Sequence, residues 1–341
     1  MLHFDSDYME GCHPLILEKL SQINYEKNEG YGSDKYCESA IKKIKEACKK
    51  PEAKVQFLVG GTQTNSTVIR ALLRPSFGVI AADTGHINTH EAGAVEAGGH
   101  KVLTIKGTDG KISASQIENY MTAFYADSNW EHEVRPGMVY ISHPTEYGTI
   151  YSAKELKEIH EVCKKYKMPL FVDGARLGYG LAAHDTDVTL PVLADSCDVI
   201  YIGGTKVGAL LGEAVIFTDP CLEQDFFTIK KMAGGLLAKG WLIGVQFDIL
   251  FTDDNYIKIS KNAIDTAMVI RDGLAKKGIK TYLDSPTNQQ FFLVSNEEEE
   301  RIHEFTSCGF MEKPDPDHSV IRFCTSWATS MDDVNELLSH F

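Results

Sequence analysis

Apolar positions along the chain follow two rhythms. From Val55 to Thr218 short apolar runs recur: "VQFLVG" (55–60), "GVIAA" (78–82), "KVLTI" (101–105), "MVYIS" (138–142), "LFVDG" (170–174), "DVIYIG" (198–203) and "AVIFT" (214–218). They are β-branched and apolar at successive positions, which predicts strands of a parallel sheet covered on both faces. Helical spacing separates several of them. In "SAKELKEIHEVCKKYK" (152–167), Leu156, Ile159, His160 and Cys163 share one face. Residues 63–73 also read as a helix, with Thr62 as its N-cap. Beyond Gly235 the rhythm changes. Long helices are expected at 236–251 and 256–278, strands at 290–295 and 320–326, and helices at 297–307 and 330–340. The whole reads as α/β, with helices on both faces of the sheet, followed by a smaller α+β unit.

The charge balance narrows the ligand. With 34 Lys+Arg against 48 Asp+Glu, the chain lacks the positive face that a nucleic acid or an anionic membrane needs. A small anion remains compatible, because one site can be positive on an acidic protein. The run Glu297–Glu300 suits a first helical turn. Eight scattered cysteines form no CxxC pair, so neither a zinc site nor a disulfide framework is expected. The start, "MLHFDSDYMEG", lacks the apolar core of a secretion signal. The expected setting is a reducing cytoplasm.

In open α/β sheets, ligands sit beyond the carboxyl ends of the strands. Three such ends are unusual. "FLVGGTQTNS" (57–66) leads through Gly61 and Thr62 into a helix whose free amides suit an anion. "PLFVDGARLGYG" (169–180) ends a fully apolar strand on Asp173, with Arg176 three residues on. "DVIYIGGTKVGALLG" (198–212) places Lys206 after two glycines, where lost hydration lowers its pKa and glycine lets a flat ligand approach the backbone. Each has an ordinary reading: a strand-to-helix turn, an Asp–Arg brace, a lysine reaching for solvent. Together, an anion cradle, an acid and a nucleophilic amine suit pyridoxal 5′-phosphate. His86, in "ADTGHINTHEAGAVEAGG" (82–99), supplies a flat partner for the ring.

These residues resemble the low-specificity threonine aldolases of the β-eliminating lyase group, within the fold-type I pyridoxal-phosphate enzymes. The similarity runs through "FDSDYMEGCHP" (4–14), "EGYGSDKYCESAIKKIKE" (29–46), "GGTQTN", "DTGHINTHEAG", "VDGARLG", "GGTKVGA" and "IRFCTSWATS" (321–330). It implies a mainly parallel seven-stranded sheet in a large domain, 46–240, and a small domain, 241–341. Residues 1–45 would pack with the small domain and at a subunit interface. Lys206 would carry the cofactor, Asp173 would pair with its ring nitrogen and His86 would stack on it. Gly61, Thr62, Gln63 and Thr205 would hold its phosphate. Ser6, Arg176 and Arg322 would grip the substrate carboxylate. Tyr31 would enter the site of a neighbouring subunit, so a homodimer or homotetramer is implied. The activity implied is cleavage of L-threonine or L-allo-threonine to glycine and an aldehyde. The alternatives are β-elimination on another amino acid and a non-catalytic protein on the same fold.

Two stretches depart from the family. "SHPTEYGT" (142–149) carries His143 where a second active-site histidine is expected, and Glu146 is an extra ionisable group. His86 and His143 are therefore the candidates to orient or deprotonate the substrate hydroxyl. In "KKMAGGLLAKG" (230–240), Leu237 stands where an arginine is expected, leaving Lys231 or Lys239 to serve the phosphate.

Overall fold

The computed structural model describes all 341 residues. Strand β1 (Leu2–Phe4) opens the chain. There follow β2 (Lys54–Leu58), β3 (Phe77–Ala82), β4 (Val102–Ile105), β5 (Arg135–Ser142), β6 (Leu170–Gly174), β7 (Val199–Gly203) and β8 (Glu213–Phe217). These last seven form one sheet in the order β2-β8-β7-β6-β5-β3-β4. All neighbours are parallel except β8, which runs against both β2 and β7. Strands β6, β7 and β8 are buried at every position, which is why their sequences are apolar without alternation.

The second sheet has five strands, ordered β1-β11-β12-β10-β9. It adds β9 (Lys280–Leu283), β10 (Gln289–Ser295), β11 (Thr306–Asp315) and β12 (His318–Cys324). Only β10 and β12 were expected. The chain's first strand pairs in parallel with β11, Leu2 opposite Thr306, so the two ends of the chain share one sheet. The helix Asn255–Lys276 spans both units. Ala263 and Ile264 lie in the core under the large sheet, while Ile270 and Leu274 pack with Phe292, Phe323 and Leu337 under the small one. The packing therefore divides within this helix, not at residue 240.

Local signals set the helix starts. Ser152 with Glu155 and Ser295 with Glu298 make reciprocal capping boxes. The glutamate run thus caps its own helix, Asn296–His303. The helix after β2 begins earlier than expected, at Gly61, with Gly60 and not Thr62 as N-cap. Thr64 N and Thr64 Oγ1 both reach Gly60 O, each at 2.9 Å, so the turn closes directly behind the strand. The helix expected at 236–251 spans only Trp241–Leu250.

Candidate functional site

The ends of β2, β3, β5, β6 and β7 converge on one cavity of about 300 Å³. Lys206 stands three residues beyond β7. Glycine precedes it because a Cβ at Gly203 would run into the Ala175 backbone, and one at Gly204 would come 2.6 Å from Gly212 O. The glycines thus let the chain's own loops close, not a ligand approach. Tyr179 Oη donates to Lys206 O at 2.5 Å and pins the turn. Burial and the nearby Arg176 lower the Lys206 pKa, against the pull of Asp7, Asp173 and Glu213. More of the amine is therefore free as a nucleophile.

Asp173 is the last side chain of β6, just before Gly174, and is buried. Its donors are Tyr140 Oη (2.6 Å) and Asn65 Nδ2 (2.8 Å) on Oδ2, and Ala175 N (2.9 Å) on Oδ1. These take three of the roughly four acceptor positions of a carboxylate. Arg176 does not brace it. The guanidinium forks onto Asp7, Nε to Oδ2 at 2.6 Å and Nη2 to Oδ1 at 3.0 Å. Burial raises the Asp7 pKa, but Arg176 and Lys206 outweigh it and bring it down to about 2.

His86 follows β3 and is tied to Asp173 through two side chains. Its Nδ1 lies 2.8 Å from Glu91 Oε1, and Asn65 Nδ2 bridges that oxygen (2.7 Å) to Asp173. Burial lowers the His86 pKa, but Glu91 and Asp173 raise it more, so the net shift is upward. At the end of β2, the first helical bond is Thr64 N to Gly60 O. The amides of Gly61, Thr62 and Gln63 are left without helical partners. A Cβ at Gly60 would meet no protein atom within 4 Å. The Gln63 side chain is committed elsewhere, to Val59 N (3.2 Å) and Ala233 O (3.1 Å). Thr205 Oγ1 donates to Glu213 Oε1 at 2.6 Å. Burial pushes the Glu213 carboxyl up to about 7.

A second cavity, about 360 Å³, lies against the small sheet. Arg322 lines it from β12, which sits between β10 and β11 and is not an edge strand. Its Nη1 donates to Gln289 Oε1 (2.9 Å) and its Nη2 to Asp5 O (2.8 Å). Arg322 Nε and Ser6 Oγ are both buried without a hydrogen-bond partner. Ser6 lines neither cavity, whereas Arg322 brings a guanidinium to the wall of the second, which suits a carboxylate. With the open amides, the carboxylate and the amine, the residues fit pyridoxal phosphate and an amino acid.

Some expected residues are not brought together. His143 is wholly buried, lines neither cavity, and accepts at Nδ1 from Tyr151 N at 3.3 Å. Burial first, and then Lys111, lower its pKa to about 4. The loop turns it inward and places Glu146 on the cavity instead. Tyr31 is on the outer surface, 47% exposed, with Lys231 Nζ 4.8 Å from its ring centroid. Neither it, Lys231 nor Lys239 lines the two cavities. Asp7, Asn65, Glu91, Tyr140 and Glu213 were not anticipated.

Residues 4–297 match the family model described as beta-eliminating lyase. A low specificity L-threonine aldolase from Pseudomonas aeruginosa is 27% identical over 337 residues, 98% of this chain and 95% of that protein. Among solved structures, a Leishmania major threonine aldolase is 37% identical with a TM-score of 0.96, covering 99% of this chain and 98% of its own. Cystalysin from Treponema denticola, whose structure contains pyridoxal 5′-phosphate, is 15% identical with a TM-score of 0.73 over 100% and 90% of the two chains. At that identity it shows the fold.

Proposed function

The chain belongs to the beta-eliminating lyase family, and on that premise we propose that it cleaves L-threonine and L-allo-threonine to glycine and acetaldehyde with pyridoxal 5′-phosphate as cofactor. It is a carbon–carbon lyase on the fold-type I architecture. The observation that carries the reading is one cavity walled by Lys206, Asp173, His86 and an open helix start. When bound, the cofactor supplies a sink for the electron pair released at Cα.

The chain's own residues do the rest. Lys206 Nζ is the amine that would hold the cofactor through its aldehyde. Asp173, fixed by three donors, would pair with the ring nitrogen. His86 covers one ring face, and its place is set by Glu91. The amides of Gly61, Thr62 and Gln63 take the phosphate, with Thr205 next to them. Arg322, on the wall of the second cavity, holds the substrate carboxylate. Arg176 adds positive charge from a position locked by Asp7. Fixing amine and carboxylate together sets which bond at Cα is presented for cleavage.

We also infer a homo-oligomer with Tyr31 facing a neighbouring copy's site. In support, Tyr31 is exposed and lines one surface pocket together with the exposed Phe227. No helix is long and apolar enough to cross a membrane. The eight unpaired cysteines accord with a cytoplasmic setting.

The test is product analysis. The cofactor-loaded protein, given L-threonine or L-allo-threonine, should release glycine and acetaldehyde in equal amounts. Ammonia and 2-oxobutanoate in their place would show elimination and overturn the reading.

A further inference from the structure

Four residues line both cavities: His86, Glu146, Arg176 and Lys206. They mark the passage where the substrate must sit. Lys206 and Arg176 are cationic and belong to the amine and carboxylate sides. His86 and Glu146 remain for the third substituent of Cα, the carbon that carries the hydroxyl. We propose that Glu146 accepts the substrate's side-chain hydroxyl and takes its proton as the Cα–Cβ bond opens. The inference rests on the aldolase reading above.

The two histidines are poorly placed for this task. His143 is outside both cavities. His86 has Nδ1 on Glu91, and its raised pKa favours the protonated ring, which cannot accept a proton. Glu146 is set differently. Ser142 Oγ (2.6 Å) and His86 N (2.9 Å) both donate to the same oxygen, Oε1. Both bonds hold the side chain from one side, at a residue that lines both cavities. Here Oε1 is anchored, and no other residue's hydrogen bond reaches Oε2. Burial raises the Glu146 pKa, Ser142 and its own amide lower it, Asp173 raises it and His86 lowers it, with a net upward shift. Glu91, Glu213, His90 and the cations Lys206, Arg176 and Arg322 are, tyrosines aside, the other titratable or charged groups on the two cavity walls. A base whose pKa moves towards working pH is a better proton acceptor than an ordinary carboxylate.

The step balances. The hydroxyl O–H bond breaks and its proton goes to Glu146 Oε2. The O–H pair becomes the second bond of the aldehyde carbonyl, and the bound cofactor would take up the Cα–Cβ pair. Cα then takes one proton to give glycine, and Glu146 returns one to solvent.

The test uses the cofactor-loaded Glu146→Gln enzyme. Glutamine keeps an oxygen for Ser142 and His86 N but turns a donor towards the substrate. Three readouts are compared with wild type: the spectral titration with glycine, exchange of the glycine α-hydrogen in D₂O, and L-threonine cleavage. Glycine has no hydroxyl, so its affinity and exchange should stay within about twofold, while cleavage falls about 10²- to 10⁴-fold, the usual contribution of a general base. Ser142→Ala, which removes one anchor of Oε1, should lower cleavage about tenfold with exchange intact. Cleavage by Glu146→Gln at near wild-type rate overturns the inference. So does a parallel loss of glycine exchange, which would mark Glu146 as structural. A wild-type enzyme that releases no glycine from either threonine would sink the aldolase reading itself.

Discussion

The inner cavity and the outer cavity are built in opposite ways. The inner one collects residues that follow strand ends of a single sheet, so its geometry comes with the sheet. Asp173 and Lys206 leave adjacent parallel strands, β6 and β7. The outer one is assembled from distant chain segments. Arg176 and Asp7 are 169 residues apart, and Arg322 reaches Asp5 across 317. It exists only when β1 and the small sheet are seated on the large one. The difference suggests a division of labour. Changes in the inner wall should strike the chemistry, and changes in the outer wall should strike affinity or stability.

Lys206→Ala should break the inner site outright, with turnover at background and no covalently held cofactor. The check is a steady-state assay with the cofactor absorption spectrum. Near-normal turnover would remove Lys206 from the mechanism. Asp173→Asn should retain the fold but lower kcat about 10²- to 10³-fold, the scale of a lost electrostatic group in an active site. KM should move little, and a rise in KM with kcat intact would place Asp173 on the wrong side of the comparison. Arg322→Leu should do the reverse. It loses contacts to a charged group worth about 1.5–3 kcal/mol, so glycine should bind roughly 10- to 100-fold more weakly in a spectral titration. Unchanged affinity would take Arg322 out of the outer wall.

The smallest expected effect concerns the seam. The Asp7 pKa falls from an ordinary 3.8 to about 2 in the folded chain. The unfolded chain therefore binds the proton more tightly, and the stabilisation is present above about pH 4 and lost as pH falls towards 2. It amounts to about 2 kcal/mol, about half of it gone by pH 3. Urea unfolding of wild type and Asp7→Asn across this range should show their difference shrinking on acidification. A difference that stays constant would mean that the Asp7–Arg176 fork is not what joins the two regions.

The same division explains what was legible in the sequence. All seven large-sheet strands could be read, because the central ones are buried on both faces and the edge strands β2 and β4 still carry short apolar runs. In the small sheet, β11 could not. "TSCGFMEKPD" mixes exposed charge with proline, and only its first positions are buried. The short β9 and β1 carry too few residues for a pattern. At the site, Lys206, Asp173, His86, Gly61 and Thr62 stand out because they interrupt apolar runs. Their partners do not. Asn65 sits inside a helix, Tyr140 inside a strand, and Asp7 in the N-terminal segment, each meeting its partner only through the fold. His143 drew attention as a histidine, yet the structure turns it inward and leaves the cavity to Glu146, three residues on.

The most direct test of the account is where the cofactor attaches. Borohydride reduction of the cofactor-loaded protein should fix pyridoxal phosphate to its amine, and peptide mapping should find the label on Lys206. A label on the buried Lys230, on Lys231 or on any other lysine would contradict the claim that the site is built on the strand ends of the large sheet.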